Sequence, residues 1–249
     1  MGKEITNAFP PMLHAFAQID AAFEKEGKEK LTKTIFPIPV FNKAAEKTQQ
    51  TTLTKTQNAQ PAIGTFSMGL YKILQQSGFK ADFTAGHSFG ELTALWAAGV
   101  YDDATFLALA KARGAAMAAT NPNAETGTML AVKAPLAQVE QAITSLQGVT
   151  IANVNSTNQV ILGGSKAAIE NATTTLKNNG FSVVPLPVSA AFHTEFVGHA
   201  QKPFAAFVAQ QKFNSPQVPV YSNTTSTAYP NDTTAVSYTH LTLPTILLV

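Results

Sequence analysis

The sequence feature that most restricts the fold is the pentapeptide GHSFG at residues 86–90, which matches the pattern G-x-S-x-G. In this pattern the glycines let a strand turn sharply into a helix and leave the serine hydroxyl exposed at the tip of the turn. A short apolar run at residues 81–85 predicts the strand, and apolar residues at helical spacing predict a helix that ends at Gly99. A glycine turn in which Ser88 only caps the helix is the alternative interpretation.

The composition restricts the class of protein. The chain has 249 residues, 45% of them hydrophobic and 13% charged, so it can bury a sizeable core as one or two domains. The formal net charge is only +2 and the lysines do not cluster with aromatic residues, which argues against nucleic-acid binding. The lack of cysteine excludes disulfides and thiolate metal sites, and the histidines show no metal-ligand spacing. No export signal and no run of about 20 apolar residues is seen, so we expect a cytoplasmic protein without a membrane anchor.

The first part of the chain is expected to be helical. Apolar spacing predicts two helical pieces within residues 5–23, interrupted at the two prolines that follow Phe9. Residues 24–60 are rich in Lys, Thr and Gln, and we expect surface loops with a short helix there. A further helix should begin at Pro61 and end at Gly78. Its buried side chains are expected to be Ile63, Phe66, Leu70, Ile73 and Leu74.

After a helix that begins near Asp103 and carries Arg113 in its later half, the pattern changes. Residues 128–187 predict the order β-α-β-β-α-β, which is the ferredoxin-like order, as a small subdomain inserted into a larger α/β body. That body would comprise residues 1–127 and 188–235, with a helix near Pro203 and a strand at residues 218–221. The predicted elements of the insert are strand 129–132, helix 135–146, strand 149–154, strand 159–162, helix 166–178 and strand 181–185.

Ser88 stands at the start of a predicted helix, where the backbone N–H of Phe89 can donate to an oxyanion and the helix dipole favours negative charge. The hydroxyl needs a base, and His193 and His199 are the downstream candidates. His193 lies where a strand-like segment gives way to a helix, whereas His199 falls on a polar helical face, as expected of a solvated histidine. The residues alone predict an activated serine with His193 as its base, and they fit an esterase equally well.

The run GHSFGE followed by LTALWAAG resembles the signature of malonyl-CoA:acyl carrier protein transacylases. It is most similar to the acyltransferase domains of bacterial polyunsaturated fatty-acid synthases and iterative polyketide synthases. Arg113 stands at the distance from Ser88 at which this family carries an arginine. A guanidinium can hold the free carboxylate of a malonyl group in a bidentate pair, so the resemblance implies that Arg113 binds and selects malonyl.

Three further positions carry the resemblance. The segment AAFH at residues 190–193 is similar to the family motif that ends in the catalytic histidine, although Ala190 replaces the more usual His. Phe192 would narrow the pocket against an α-methyl group, which favours malonyl over methylmalonyl. His87 would be a structural or pocket-wall residue. Asn155 lies in a segment that resembles the family's cleft-facing part of the small subdomain, but a simple hairpin turn explains that segment as well.

The resemblance implies transfer of malonyl from coenzyme A, through an ester on Ser88, to the phosphopantetheine thiol of an acyl carrier protein, without metal or prosthetic group. Neighbouring synthase domains are the other expected partners. The fold would then be an α/β-hydrolase-like large subdomain with a parallel-sheet core and the ferredoxin-like insert. A serine esterase or thioesterase of the α/β-hydrolase type, or a catalytically dead acyltransferase-like docking domain, are the alternatives.

Both ends depart from the family pattern. Its members carry a Gly-Gln-Gly-x-Gln loop, which supplies a second oxyanion donor, before a segment like residues 2–4, and they continue past Pro230 with a segment that orients the histidine. We expect residues 236–249 to be a non-native tail, and a genuine apolar strand is the alternative interpretation. The resemblance therefore implies truncation at both ends and weak activity or none.

Overall fold

The computed structural model describes residues 2–119, 125–223 and 225–230, so the predicted tail at residues 236–249 lies outside the described residues. The chain forms two compact bodies. Among the described residues, the first body contains those up to Ala118 and those from Pro203 to Pro230, and the second contains those within Ala119–Lys202. The second body includes the predicted insert at residues 128–187 and extends beyond it on both sides.

The first body begins with helices and one short strand. In chain order these elements are α1 (Lys3–Ala8), α2 (Pro10–Glu24), α3 (Leu31–Ile35), α4 (Lys43–Thr54), α5 (Thr56–Gln76), β1 (Thr84–Ala85), α6 (Gly90–Ala97) and α7 (Asp103–Ala118). The break predicted at the two prolines is confirmed, because Phe9 is extended and Pro10 begins the second helix. Gly78 and Gly99 follow α5 and α6 with positive φ, as predicted for helix ends.

Two predicted boundaries differ from the structure. Residues 24–60 were expected to be mostly loop, but they contain α3, α4 and the first turn of α5. This turn forms because the N–H groups of Asn58 and Ala59 both donate to the carbonyl of Lys55, so α5 begins before Pro61 and contains it. Helix α7 begins at Asp103, as predicted, although its N-cap is Asp102, whose carboxylate accepts the Thr105 N–H at 2.8 Å.

The buried face of α5 is also different from the predicted one. Ile63, Leu70 and Leu74 are 56, 37 and 48% exposed, and Phe66 and Ile73 are half-buried. The side that packs inward carries mainly small residues and Met68, namely Ala62, Gly64, Thr65, Met68 and Gly69. Neighbouring helices approach this side so closely that a Cβ at position 69 would overlap the side chain of Met12. The prediction was wrong because it followed the large apolar side chains, whereas close packing here requires small ones.

The second body confirms the predicted β-α-β-β-α-β order. Its elements are β2 (Thr128–Lys133), α8 (Leu136–Ile143), β3 (Val149–Ser156), β4 (Gln159–Gly164), α9 (Lys166–Asn178), β5 (Ser182–Leu186) and a 3₁₀ helix (Glu195–Ala200). The strands form one antiparallel sheet in the order β3-β4-β2-β5. One face packs against α8 and α9 through Leu130, Val132 and Leu162, and the alternate residues Met129, Ala131 and Ile161 form the opposite face.

The chain then passes through α10 (Gln201–Val208), with Pro203 in its first turn, to β6 (Val220–Tyr221) in the first body. Strand β6 pairs with β1 in parallel, and Val220 and Tyr221 lie opposite Thr84 and Ala85. Both strands are shorter than predicted. The chain is thus a mixed α/β protein with a parallel and an antiparallel sheet. Within the described ranges, none of the helices combines the length and apolar character that a membrane crossing requires.

Candidate active site

Ser88 lies in the turn between β1 and α6, as the sequence predicted. Its φ of 54° is in the left-handed region, which costs a residue other than glycine about 1–3 kcal/mol. The turn is closed by the N–H of Gly90, which donates to the carbonyl of His87 at 2.8 Å, and by the N–H of Glu91, which donates to the carbonyl of Ser88 at 3.1 Å. The ring of Phe89 is buried and lies near the ring of Phe106, with 6.5 Å between the centroids.

The two glycines of the pentapeptide have different roles. A Cβ at Gly86 would overlap the carbonyl of Gly90, so only glycine permits the turn to close this tightly. At Gly90 a Cβ would have no neighbour within 4 Å, and the residue does not adopt a positive φ. The expectation that the turn needs both glycines therefore holds for Gly86 alone.

A cavity of about 660 Å³ opens beside the turn. Ser88 and His87 line it together with apolar residues of α5, among them Ile63 and Leu70. The side chains that α5 leaves exposed thus form a wall of the space in front of the serine. In the described part of the chain, Arg113 is not among the residues that line this cavity.

Asn223 was not predicted, although it contacts the turn directly. Its Oδ1 accepts the backbone N–H of Ser88 at 2.8 Å, and its Nδ2 donates to the carbonyl of Gly86 at 2.7 Å. Asn223 follows β6, and the pentapeptide follows β1, so the parallel pairing of the two strands brings both loops to the same edge. The role of Asn223 could have been predicted from the sequence only by first predicting that the strand before it pairs with the strand before Ser88.

Glu91, on the first turn of α6, binds the backbone of Asn223. Its Oε1 accepts the backbone N–H of Asn223 at 2.7 Å and the hydroxyl of Tyr229 at 3.2 Å. Burial raises the pKa of this carboxyl above its ordinary value of 4.5, although the two hydrogen bonds and the charge of Arg113 oppose the rise.

This raised pKa predicts how stability depends on pH. Because the folded protein holds the Glu91 proton more tightly than the unfolded chain does, the favourable contribution is complete below pH 4.5 and is lost as the pH rises through the folded pKa. Glu91→Gln keeps an acceptor oxygen but does not titrate. The free energy of unfolding of the native protein, measured in urea at several pH values, should therefore fall relative to that of Glu91→Gln as the pH rises. A difference that does not change with pH would contradict the raised pKa.

Arg113 is buried in α7, with only 4% of its surface exposed. Its Nη1 donates to Oε1 of Gln60 at 2.8 Å, and Gln60 in turn donates to Thr56 at 2.7 Å. Among the described residues Nη2 is buried without a hydrogen-bond partner. Burial lowers the pKa of the guanidinium to about 10, while the charge of Glu91 acts to raise it, so the group is still charged at neutral pH. A buried donor without an acceptor is costly, and a carboxylate is a group that could pair with Nη2.

In the second body, His193 also has positive φ, at 60°. The turn around it is held by the N–H of Ala191, which donates to the carbonyl of Thr126 at 2.8 Å, and by the hydroxyl of Thr194, which donates to the carbonyl of Ala191 at 2.6 Å. Thr194 then caps the 3₁₀ helix. A Cβ at Gly163 of β4 would lie 2.5 Å from the methyl group of Thr194, so that glycine permits the turn to lie close against the sheet.

Three other residues of the second body that the sequence analysis named, Phe192, Asn155 and His199, differ in how far they are buried. Phe192 is half-buried and packs against the sheet face that contains Met129 and Ala131. Asn155 is exposed near the end of β3, and its side chain bonds Gln159 of β4 at 3.1 Å, as in a hairpin. His199 is exposed in the 3₁₀ helix, as expected of a solvated histidine.

Ser88 thus has left-handed backbone between a strand and a helix, which is the arrangement in which a G-x-S-x-G turn exposes its serine hydroxyl. The chain belongs to the acyl transferase domain family, whose model matches residues 1–243. It is 40% identical over 175 residues to a malonyl CoA-acyl carrier protein transacylase of Synechocystis sp., covering 70% of this chain and 58% of that protein. It is 29% identical over 250 residues to one chain of the polyunsaturated fatty acid synthase of Thraustochytrium sp., covering 97% of this chain and 9% of that synthase chain.

Solved structures of transacylases are also similar to this chain. A malonyl transacylase solved in complex with the holo acyl carrier protein of a type II polyketide synthase is similar, with a TM-score of 0.82 at 28% identity over 96% of this chain and 74% of that one. The chain spans 58% of the Synechocystis transacylase, which is less than two thirds of its length.

Proposed function

We propose that this chain catalyses malonyl transfer from coenzyme A to an acyl carrier protein through an ester on Ser88. The observation that carries the proposal is the buried guanidinium of Arg113, whose Nη2 has no hydrogen-bond partner among the described residues. An ordinary esterase substrate has no group that needs this charge, whereas malonyl has a free carboxylate that can pair with it. The transacylases among the relatives support the same reaction.

The reaction would proceed in two balanced steps. The imidazole of His193 takes the proton of Ser88 as Oγ attacks the thioester carbonyl, and the tetrahedral oxyanion accepts the backbone N–H of Phe89. The C–S bond breaks, the thiolate of coenzyme A takes the proton, and O-malonyl serine remains. The phosphopantetheine thiol then gives its proton to His193 as its sulfur attacks the ester carbonyl. The bond between the acyl carbon and Oγ breaks, Oγ takes the proton back from His193, and the malonyl group remains as a thioester on the carrier. Serine, histidine and backbone dipoles suffice, so we propose that no cofactor takes part.

The proposed partners follow from the relatives. One structural neighbour is a transacylase bound to an acyl carrier protein, and one curated relative is a synthase chain much longer than this one. We therefore propose an acyl carrier protein and neighbouring synthase domains as partners, in the cytoplasm. We also propose that the parallel pair β1 and β6 belongs to an α/β-hydrolase-like sheet, with His87 as a pocket wall and Asn155 facing the substrate.

The test is intact-protein mass spectrometry after incubation with malonyl-CoA. A single malonyl adduct should form, map to Ser88 by peptide sequencing, and disappear when a holo acyl carrier protein is added, which should then carry the malonyl group. Steady release of malonate without carrier protein would instead indicate a hydrolase. Absence of any adduct on the native chain, together with unchanged carrier binding by Ser88→Ala, would favour a docking domain and overturn the proposal.

Phe192 offers a test of extender selection. Phe192→Ala should widen the pocket and raise the ratio of methylmalonyl to malonyl acylation by about tenfold, because one methyl group in a pocket is worth roughly 1–3 kcal/mol. Competition between the two thioesters, read out by adduct mass, measures this ratio. Phe181→Ala is a matched control, since Phe181 packs with the α8 and α9 side of the sheet and Phe192 with the other. An equal change of the ratio in both variants would show that Phe192 does not select between malonyl and methylmalonyl.

A further inference from the structure

The conformation of Ser88 needs support from outside the turn. A left-handed residue with a side chain persists only where its surroundings hold it, and the bonds within the turn run from residues 90 and 91 back to residues 87 and 88. These bonds do not include the N–H of Ser88 or the carbonyl of Gly86, which are bonded from outside the turn. Both groups belong to the backbone that flanks His87, where the chain changes direction.

Asn223 supplies both partners from one side chain. Its amide oxygen accepts from Ser88 at 2.8 Å and its amide nitrogen donates to Gly86 at 2.7 Å. A planar carboxamide is the side-chain group that offers one acceptor and two donors at this separation. An aspartate at the same position would keep the acceptor for Ser88 but would direct a second oxygen at the carbonyl of Gly86.

Asn223 is itself held in place. Its backbone N–H donates to Glu91 at 2.7 Å, so the residue is tied to the helix that follows the serine. Its loop is closed by the N–H of Ser222, which donates to the carbonyl of Thr227 at 3.0 Å, and by the N–H of Tyr229, which donates to the carbonyl of Val220 at 2.8 Å. The support for Ser88 is therefore fixed by the strand pair, the loop and the helix together.

We infer that Asn223 is a positioning residue, which holds the backbone of Ser88 so that its hydroxyl points toward the reacting carbonyl. It acts through Ser88 and does not touch the substrate. The inference rests on the proposed function only for the identity of the acyl donor, since the same orientation would serve any electrophile that reaches the serine. A small displacement of a reacting group can cost about a hundredfold in rate.

The test measures the rate at which Ser88 is acylated in the native chain, in Asn223→Ala and in Asn223→Asp. Two reagents are used, malonyl-CoA in single-turnover experiments and a fluorophosphonate, which labels activated serines and needs no malonyl site. Asn214→Ala is the matched control, because Asn214 is an exposed asparagine of the same body. Thermal unfolding of each variant shows how much of it is folded.

We expect both Asn223 variants to lower the acylation rate by about tenfold to a hundredfold with each reagent, with less than a threefold change in KM for malonyl-CoA. In a variant that is only less stable, a smaller fraction of the molecules would be labelled, but the folded molecules would react at the native rate. If the two variants react with the fluorophosphonate as fast as the native chain does, the inference is wrong. If the native chain labels with fluorophosphonate, the variants label slowly and malonyl-CoA gives no adduct, the proposed function fails while the role of Asn223 stands.

Discussion

Ser88→Ala is expected to abolish formation of the malonyl adduct and to remove the malonyl transfer that the native chain shows. Removal of a serine nucleophile from an enzyme that works through an acyl intermediate costs up to on the order of 10⁶-fold in rate. The reason is chemical, since no other atom in the turn can form the ester. Because Ala lacks only Oγ, the fold should be retained. The measurement is the adduct mass after incubation with malonyl-CoA, followed by the rate of carrier loading.

Ser67→Ala is the control for this experiment. Ser67 lines the same cavity as Ser88 but lies on α5, outside the turn. Its replacement should leave the adduct intact. An adduct that survives in Ser88→Ala, or one that vanishes in Ser67→Ala, would mean that the nucleophile has been assigned to the wrong residue.

Arg113→Ala should lower kcat/KM for malonyl-CoA by about 10²–10⁴-fold, because removal of one partner of a buried ion pair costs roughly 3–5 kcal/mol. Acetyl-CoA has no carboxylate to pair with the guanidinium, so its slow acylation of Ser88 should change little. The ratio of malonyl to acetyl adduct in a mixture of both thioesters measures the effect directly.

Lys111→Ala tests whether the effect is specific to Arg113. Lys111 is a cation on the same helix, two residues away, but it pairs with Glu26 at 2.6 Å. Its replacement should leave the ratio of the two adducts unchanged. Equal ratios in the native chain and in Arg113→Ala would show that the guanidinium has only a structural role, held by Gln60.

Local patterns predicted the parts of the fold that depend on neighbouring residues. The strand–turn–helix at Ser88 and the alternating strands of the second body were predicted because their signals lie within a few residues of one another. In strand β2 the side chains alternate with a two-residue period, since Met129 and Leu130 belong to the cores on opposite faces of the sheet.

The rest depended on contacts between distant segments. Nothing close to Asn223 indicates that its side chain bonds Ser88, since 135 residues separate the two. Gln60 was placed in a surface loop, yet it is buried and holds Arg113, because its helix begins earlier than Pro61 suggests. The buried side of α5 is the side that packs against Met12. The spacing of apolar residues within α5 cannot predict this contact, because Met12 lies on another helix.

The parallel pairing of β1 with β6 has a consequence for synthesis of the chain. The described residues of the second body follow β1 and precede β6 in the sequence, so they can fold before β6 has been made. The turn at Ser88 can acquire its partner Asn223 only after 135 further residues have been added, which takes on the order of ten seconds at ribosomal rates. A nascent chain therefore carries the serine long before that serine has its supported conformation. The supported conformation of Ser88 therefore becomes available only after residues 119–202 of the second body have been made.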